Sequence, residues 1–205
     1  MLNFYYAPGS CALATHIALE EAGADYEAVL VDFTSQQQRS AEYLAVNPKG
    51  RVPALVTDQG ILTETPALLV YVAQCFPAAG LAPLQDAYAL ARVQSFNSYL
   101  CSTVHVNHAH RARGARWADA PEALEAMQRK VPQTMTESFS LIEREMFKGP
   151  WVMGEQYTIC DPYLFTISRW LASDSVSIEQ FPAVNDHHQR MLERPAVAKV
   201  MALHP

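Results

Sequence analysis

The texture of this chain changes once along its length. Up to about residue 76, short apolar runs alternate with helical stretches; after residue 85 the pattern is helical throughout. Between the two lies Phe76-Pro77-Ala78-Ala79-Gly80-Leu81-Ala82-Pro83, whose Pro, Gly and Ala content reads as a linker. Two domains are therefore expected, a mixed α/β unit over residues 1–79 and an all-helical unit over 86–205. With 205 residues the chain is long enough to bury a core in each.

Within the first half, Leu2–Tyr6 reads as a strand, followed by a Pro8-Gly9-Ser10 turn and a helix from Cys11 that ends near Gly23, a suitable residue just past a helix C-terminus. Tyr26–Val31 fits a second strand. The polar, poorly periodic stretch Asp32–Val46 predicts a loop with a short helix. Val52–Thr57 and Ile61–Thr63 flank Asp58-Gln59-Gly60, a hairpin signal. Thr65 as N-cap and Pro66 at the first helical position open a helix whose apolar face is Leu68, Leu69, Val72 and Phe76. The order β-α-β-α-β-β-α is the thioredoxin-like arrangement. In the second half, long helices are expected around 86–117 and 121–147. A further one follows Trp151–Asp161, where Thr158 and Asp161 form a variant of the capping box.

Charge and cysteine usage narrow the function. The net charge of -6 argues against binding to nucleic acid or to an anionic membrane. No apolar run approaches the ~20 residues of a membrane-spanning helix, and the N-terminus lacks the pattern of a signal peptide. Cys11, Cys75, Cys101 and Cys160 show neither metal-type nor disulfide-type spacing, which favours a reducing compartment, the cytoplasm. No metal site is expected. Arg111, Arg113 and Arg116 read as a solvated face rather than an anion site.

Cys11 is the chemical focus. It opens a helix, where unpaired amides and the macrodipole favour negative charge, so its thiol is expected to titrate below the usual value; a buried, inert cysteine is the other reading. A redox dithiol needs a second Cys three positions on, and that position is Ala14. A single thiol needs an external partner such as glutathione. Val52-Pro53 opens a strand at an exposed edge, and a cis bond there turns the Val52 amide and carbonyl outward to pair with an extended peptide. An ordinary edge proline explains the spacing equally well. The helix start at Glu64-Thr65-Pro66 offers amides and a hydroxyl to a carboxylate, with Glu64 for an ammonium group, matching the γ-glutamyl end of glutathione. Simple capping accounts for it too.

Taken together, Tyr5–Cys11, Asn47–Leu55, Glu64-Thr65 and Gly154–Asp161 resemble the bacterial beta-class glutathione transferases over nearly the whole chain. The resemblance implies a glutathione-binding thioredoxin-like domain, an all-helical domain with the acceptor pocket and dimer contacts, and a homodimer. It places Cys11 at the glutathione sulfur, Val52 and Pro53 at its cysteinyl part, and Glu64 and Thr65 at its γ-glutamyl end. His105 is implied to assist catalysis, and Ser102 and Thr103 to belong to the glutathione site. Three positions depart from the pattern: Gln36 and Val106 stand where relatives carry lysine, and Ser98 where an asparagine is expected.

The expected reaction is transfer of glutathione, the co-substrate, to a small hydrophobic electrophile. Ser10 and Tyr5 are secondary partners for the sulfur, although turn formation and packing suit them better. His105 and His108 share a helical face and are expected to line the acceptor pocket with Tyr6, Tyr99 and Trp170, an exposed structural role being equally open for His108. Two alternatives stand beside this: glutathione-dependent thiol-disulfide exchange or reductive dehalogenation through Cys11, and a non-catalytic binding protein of the same fold.

Overall fold

A computed structural model describes residues 2–204; Met1 and Pro205 lie outside the described residues. Four strands, β1 (Leu2–Tyr6), β2 (Tyr26–Leu30), β3 (Ala54–Thr57) and β4 (Gly60–Thr63), form one sheet in the order β2-β1-β3-β4. β1 and β2 are parallel, joined through α1 (Ala12–Glu21), whereas β3 pairs antiparallel with both β1 and β4. A short turn of tight helix at Gln37–Arg39 and α2 (Ala41–Val46) connect β2 to β3, and α3 (Thr65–Cys75) follows the hairpin. This is the thioredoxin-like arrangement. β3 begins at Ala54 rather than Val52, so Val52 stands outside the ladder, and its bond to Pro53 is cis.

The helical half consists of α4 (Ala87–Tyr99), α5 (His105–Ala112), α6 (Pro121–Leu141), α7 (Cys160–Ser168), α8 (Pro182–Leu192) and α9 (Pro195–Met201). The stretch expected as one helix over 86–117 is broken. A π-helical turn at Leu100–Val104 joins α4 to α5 and resets which side chains face inward, and the chain leaves helix after Ala112. The 121–147 stretch likewise ends in a π-turn at Ile142–Met146. Among the described residues, no helix is long and apolar enough to cross a membrane.

α1 is the keystone of the packing. Every residue from Ala12 to Leu19 is buried, the polar Thr15 and His16 included, and Ala12, Ala14 and Ala18 let neighbours approach closely. It packs on α3, α7 and α9, so it bridges the sheet domain and the helical domain. Phe4, Leu13, Ile17, Leu68, Leu69, Phe139 and Phe165 are wholly buried; side chains of this size contribute about 1.5–3 kcal/mol each. At the start of α7 the Asp161 carboxylate accepts from the Thr158 amide at 2.6 Å, while the Thr158 hydroxyl accepts from the Cys160 amide at 3.3 Å, the reciprocal pattern of the capping box. Asp161 also accepts from the Val152 amide at 2.8 Å and contacts His187 Nε2 at 3.0 Å. The 151–161 loop is thereby pinned to two helices.

Candidate active site

A cleft of about 310 Å³ opens between the two domains. One wall is the loop Gly9–Cys11 and the start of α1; the second is Gly50–Pro53; the third is Glu64 and Thr65 at the start of α3; the helical domain closes it with Cys101, His105, His108, Tyr163 and Trp170. Of the site residues predicted from sequence, Ser10, Cys11, Val52, Pro53, Glu64, Thr65 and His105 meet here. Ser102 and Thr103 do not. The Ser102 hydroxyl donates to the Ser98 carbonyl of its own helix at 2.8 Å, and the π-turn presents Cys101 to the cleft in their place.

Local sequence explains each wall. The Ser10 hydroxyl donates to the Ala7 carbonyl at 2.6 Å and accepts from the Ala12 amide at 3.3 Å, so it builds the turn and caps α1. That leaves Cys11 as the residue displayed at the helix start. The loop before β3 is held by Asn47 and Tyr43, which donate to the Arg51 carbonyl at 2.6 and 2.7 Å. Gly50 has φ +60, and a Cβ there would lie 2.9 Å from the Gln38 carbonyl oxygen and 3.1 Å from the Arg39 guanidinium, so only glycine lets Arg39 lie across this loop. Glu64 adopts φ 76, a conformation rare outside glycine, immediately before α3. Its carboxylate is paired with the Lys49 ammonium, which also donates to the Thr63 hydroxyl at 2.6 Å.

The Cys11 thiol donates to the Val52 carbonyl at 3.7 Å. Its titration runs opposite to the sequence expectation. Burial pushes the thiol up, and the opposing pull of the Thr65 hydroxyl and of the Arg113 charge does not reverse the shift. Burial outweighs these two lowering contacts, so Cys11 is a neutral donor at neutral pH. His105 is lowered to about 4 by burial, with the fields of Arg113, His108, Arg116 and Arg51 adding to it, so its imidazole is uncharged.

The acceptor side differs from the expected one. Trp170 lines the cleft, but Tyr6 packs instead against His16 and His204 in a buried aromatic cluster, and Tyr99 does not line the cleft. Tyr5 packs edge-on against Tyr43. His108 stacks on Trp170 with ring centroids 4.4 Å apart, and its Nδ1 lies 2.8 Å from the buried Asp174 carboxylate, so its structural role is built into the cleft wall. Trp170 Nε1 donates to the Gly9 carbonyl at 3.1 Å, coupling this wall to the Cys11 loop. The three arginines read as one solvated face separate: Arg111 pairs with Asp174 at 3.2 Å, whereas Arg113 and Arg116 line the cleft with Arg39 and Arg51. Gln36 lies outside it, while Gln38 lines it with a buried amide oxygen that has no partner among the described residues. Cys101, Gln38 and Arg39 carried no signal in sequence, and each reaches the site through a turn or helix break without a recognisable spacing.

Comparison with known proteins agrees with this geometry. Residues 2–74 match the family model of the glutathione S-transferase N-terminal domain, and residues 100–195 that of the C-terminal domain. The chain is 31% identical over 204 residues to glutathione S-transferase GstA of Escherichia coli, covering 98% of each. A crystal structure of a glutathione transferase homologue from Sulfitobacter with bound glutathione superposes with a TM-score of 0.96 at 45% identity, covering 99% of this chain and 98% of that one. The bacterial beta-class glutathione S-transferase of Sphingomonas chungbukensis is similar with a TM-score of 0.85 at 30% identity, with 98% of each chain covered. The protein belongs to the glutathione S-transferase family.

Proposed function

We propose that the protein is a beta-class glutathione transferase, a cytoplasmic homodimer that transfers glutathione to an electrophile at the cleft between its domains. The observation that carries this reading is the meeting of the Cys11 thiol, the Val52 carbonyl and the Thr65 hydroxyl from three walls of that cleft. Glutathione lies extended along it. Its γ-glutamyl carboxylate meets the amides at the start of α3, and its ammonium joins Lys49 in contact with Glu64. Its cysteinyl backbone pairs with Val52, its glycyl end reaches Arg39 and Arg51, and the orphan oxygen of Gln38 takes an amide N–H. These two arginines supply the base that relatives carry near position 36. The domain division at residues 80–85 belongs to the same reading.

Sulfur chemistry follows from the protonation states. A neutral Cys11 thiol and the Thr65 hydroxyl donate to the glutathione sulfur, and Arg113 adds positive charge, so the bound thiol ionises more readily than the free one. The uncharged His105 accepts a hydrogen bond near that sulfur and helps remove its proton. The thiolate then forms the bond to the electrophilic carbon. The raised Cys11 thiol favours this route over thiol exchange, because the protein's own thiolate is scarce. Dimerisation finds support in the exposed apolar side chains Ile61 and Leu62 on β4 and Tyr88 on α4.

Steady-state kinetics with glutathione and chlorodinitrobenzene test the reading. Saturable turnover in glutathione, lowered at least about tenfold in kcat/KM by Thr65→Val, is expected. Turnover no faster than the uncatalysed reaction contradicts it.

A further inference from the structure

Four arginines, Arg39, Arg51, Arg113 and Arg116, line the cleft, yet none of them forms an ion pair among the described residues. Among the described residues, the one carboxylate lining the cleft, Glu64, is already matched by Lys49. This is a concentration of unbalanced positive charge in a protein whose net charge is -6. The guanidinium groups feel one another: Arg116 is pulled below its ordinary value by burial and then by Arg51, Arg113 and Arg39. Holding like charges together in a partly desolvated cleft costs stability unless a ligand neutralises them.

Glutathione does not exhaust this charge. Its γ-glutamyl carboxylate and ammonium are mutually neutral and sit at Thr65 and Glu64. The glycyl carboxylate and the thiolate bring two negative charges against four guanidinium groups. Arg39 and Arg51 come from the sheet domain, on either side of the Gly50 turn. Arg113 and Arg116 come from the chain just after α5, in the helical domain that also supplies His105, His108, Trp117 and Trp170. On that side Trp117, 49% exposed, offers an open aromatic ring to the cleft, whereas Trp170 is buried beneath the stacked His108 ring.

We propose that Arg113 and Arg116 form an acceptor subsite for an anionic electrophile, a planar conjugated or aromatic molecule bearing a carboxylate, in place of the neutral hydrophobic acceptor expected from sequence. This rests on the glutathione transferase reading and specifies its second substrate. The Trp117 ring stacks on the electrophile, the guanidinium groups pair with its carboxylate, and the glutathione thiolate attacks the activated carbon. With an aryl chloride the thiolate electron pair forms the C–S bond and chloride leaves with the C–Cl pair, so no oxidant or reductant is required.

The test compares para-chloro-meta-nitrobenzoate with its methyl ester, glutathione saturating, each kcat/KM divided by the uncatalysed rate constant of that acceptor. The carboxylate is expected to be favoured by about tenfold or more. That preference should shrink with added salt and fall to about one in Arg113→Gln/Arg116→Gln, whose fold is checked by circular dichroism. Equal or better turnover of the ester by the unaltered protein overturns the anionic subsite while leaving the transferase reading intact. So does a preference that survives the double substitution. Enzyme-dependent turnover of neither acceptor, with glutathione binding absent in a calorimetric titration, removes both readings; with glutathione bound, it removes the subsite alone.

Discussion

Cys11 Sγ donates to the Val52 carbonyl across 3.7 Å, so the first turn of α1 and the loop preceding β3 meet at a single sulfur atom. The contact defines the role of Cys11. A thiol raised by burial keeps its proton, and turning that single S–H from the Val52 carbonyl to a bound sulfur stabilises the sulfur's negative charge.

Cys11→Ala therefore separates two chemistries. Conjugation of glutathione to chlorodinitrobenzene should persist, with kcat/KM lowered by about tenfold for one lost charge-assisted hydrogen bond. Formation of a mixed disulfide with oxidised glutathione at position 11, followed by peptide mass mapping that separates it from the exposed Cys75, should vanish. Loss of both activities indicates a covalent route through Cys11 instead.

His105 sets a second expectation. Held uncharged by burial and neighbouring positive charge down to about pH 4, it contributes no inflection near 6.5 to a pH profile of kcat/KM. The profile should rise with a single ionisation, that of bound glutathione. His105→Ala is expected to lower the plateau by about a hundredfold if the imidazole assists proton removal. An inflection near 6.5 that disappears in this variant shows that the ring carries charge in the working enzyme.

Much of this architecture was legible in the residues, and the reasons are local. Thr65 before Pro66 marked a helix start to within one residue, and Thr158 with Asp161 announced the capping pattern seen at α7. Cys11 after a Pro-Gly turn pointed to the cleft for the same reason. Less legible was everything decided by long-range packing. The π-turn at Leu100–Val104, which replaces Ser102 and Thr103 by Cys101, has no signature in a helical pattern. The sign of the Cys11 shift is set by burial, which no spacing reports. Arg39 and Arg51 reach the cleft only because Gly50 folds the intervening loop back.

The 151–161 loop supplies a stability test. Asp161 is fully buried and accepts from two backbone amides while contacting His187. Asp161→Ala leaves these donors unpaired and should cost about 3–5 kcal/mol in equilibrium urea unfolding. Asp161→Asn, which keeps part of the pattern, should cost less.

A buried histidine pair predicts acid sensitivity. His16 Nδ1 lies 2.9 Å from His204 Nε2, tying the chain beyond α9 to α1, and burial lowers the two to about 4 and about 3. Both folded-state values lie below the ordinary 6.5, so the unfolded chain binds more protons as pH falls. Stability is full above about 6.5 and declines from there toward 4, on the order of 3 kcal/mol for His16 alone. Urea midpoints across this range should fall accordingly, and the slope should flatten in His16→Leu/His204→Leu. A slope unchanged by the substitutions assigns the acid loss elsewhere.

Isothermal titration of the protein with reduced glutathione measures the central claim directly. Saturable binding at one site per chain, weakened about tenfold or more by Thr65→Val, is the predicted result. A flat titration at millimolar glutathione, with the fold intact, contradicts it.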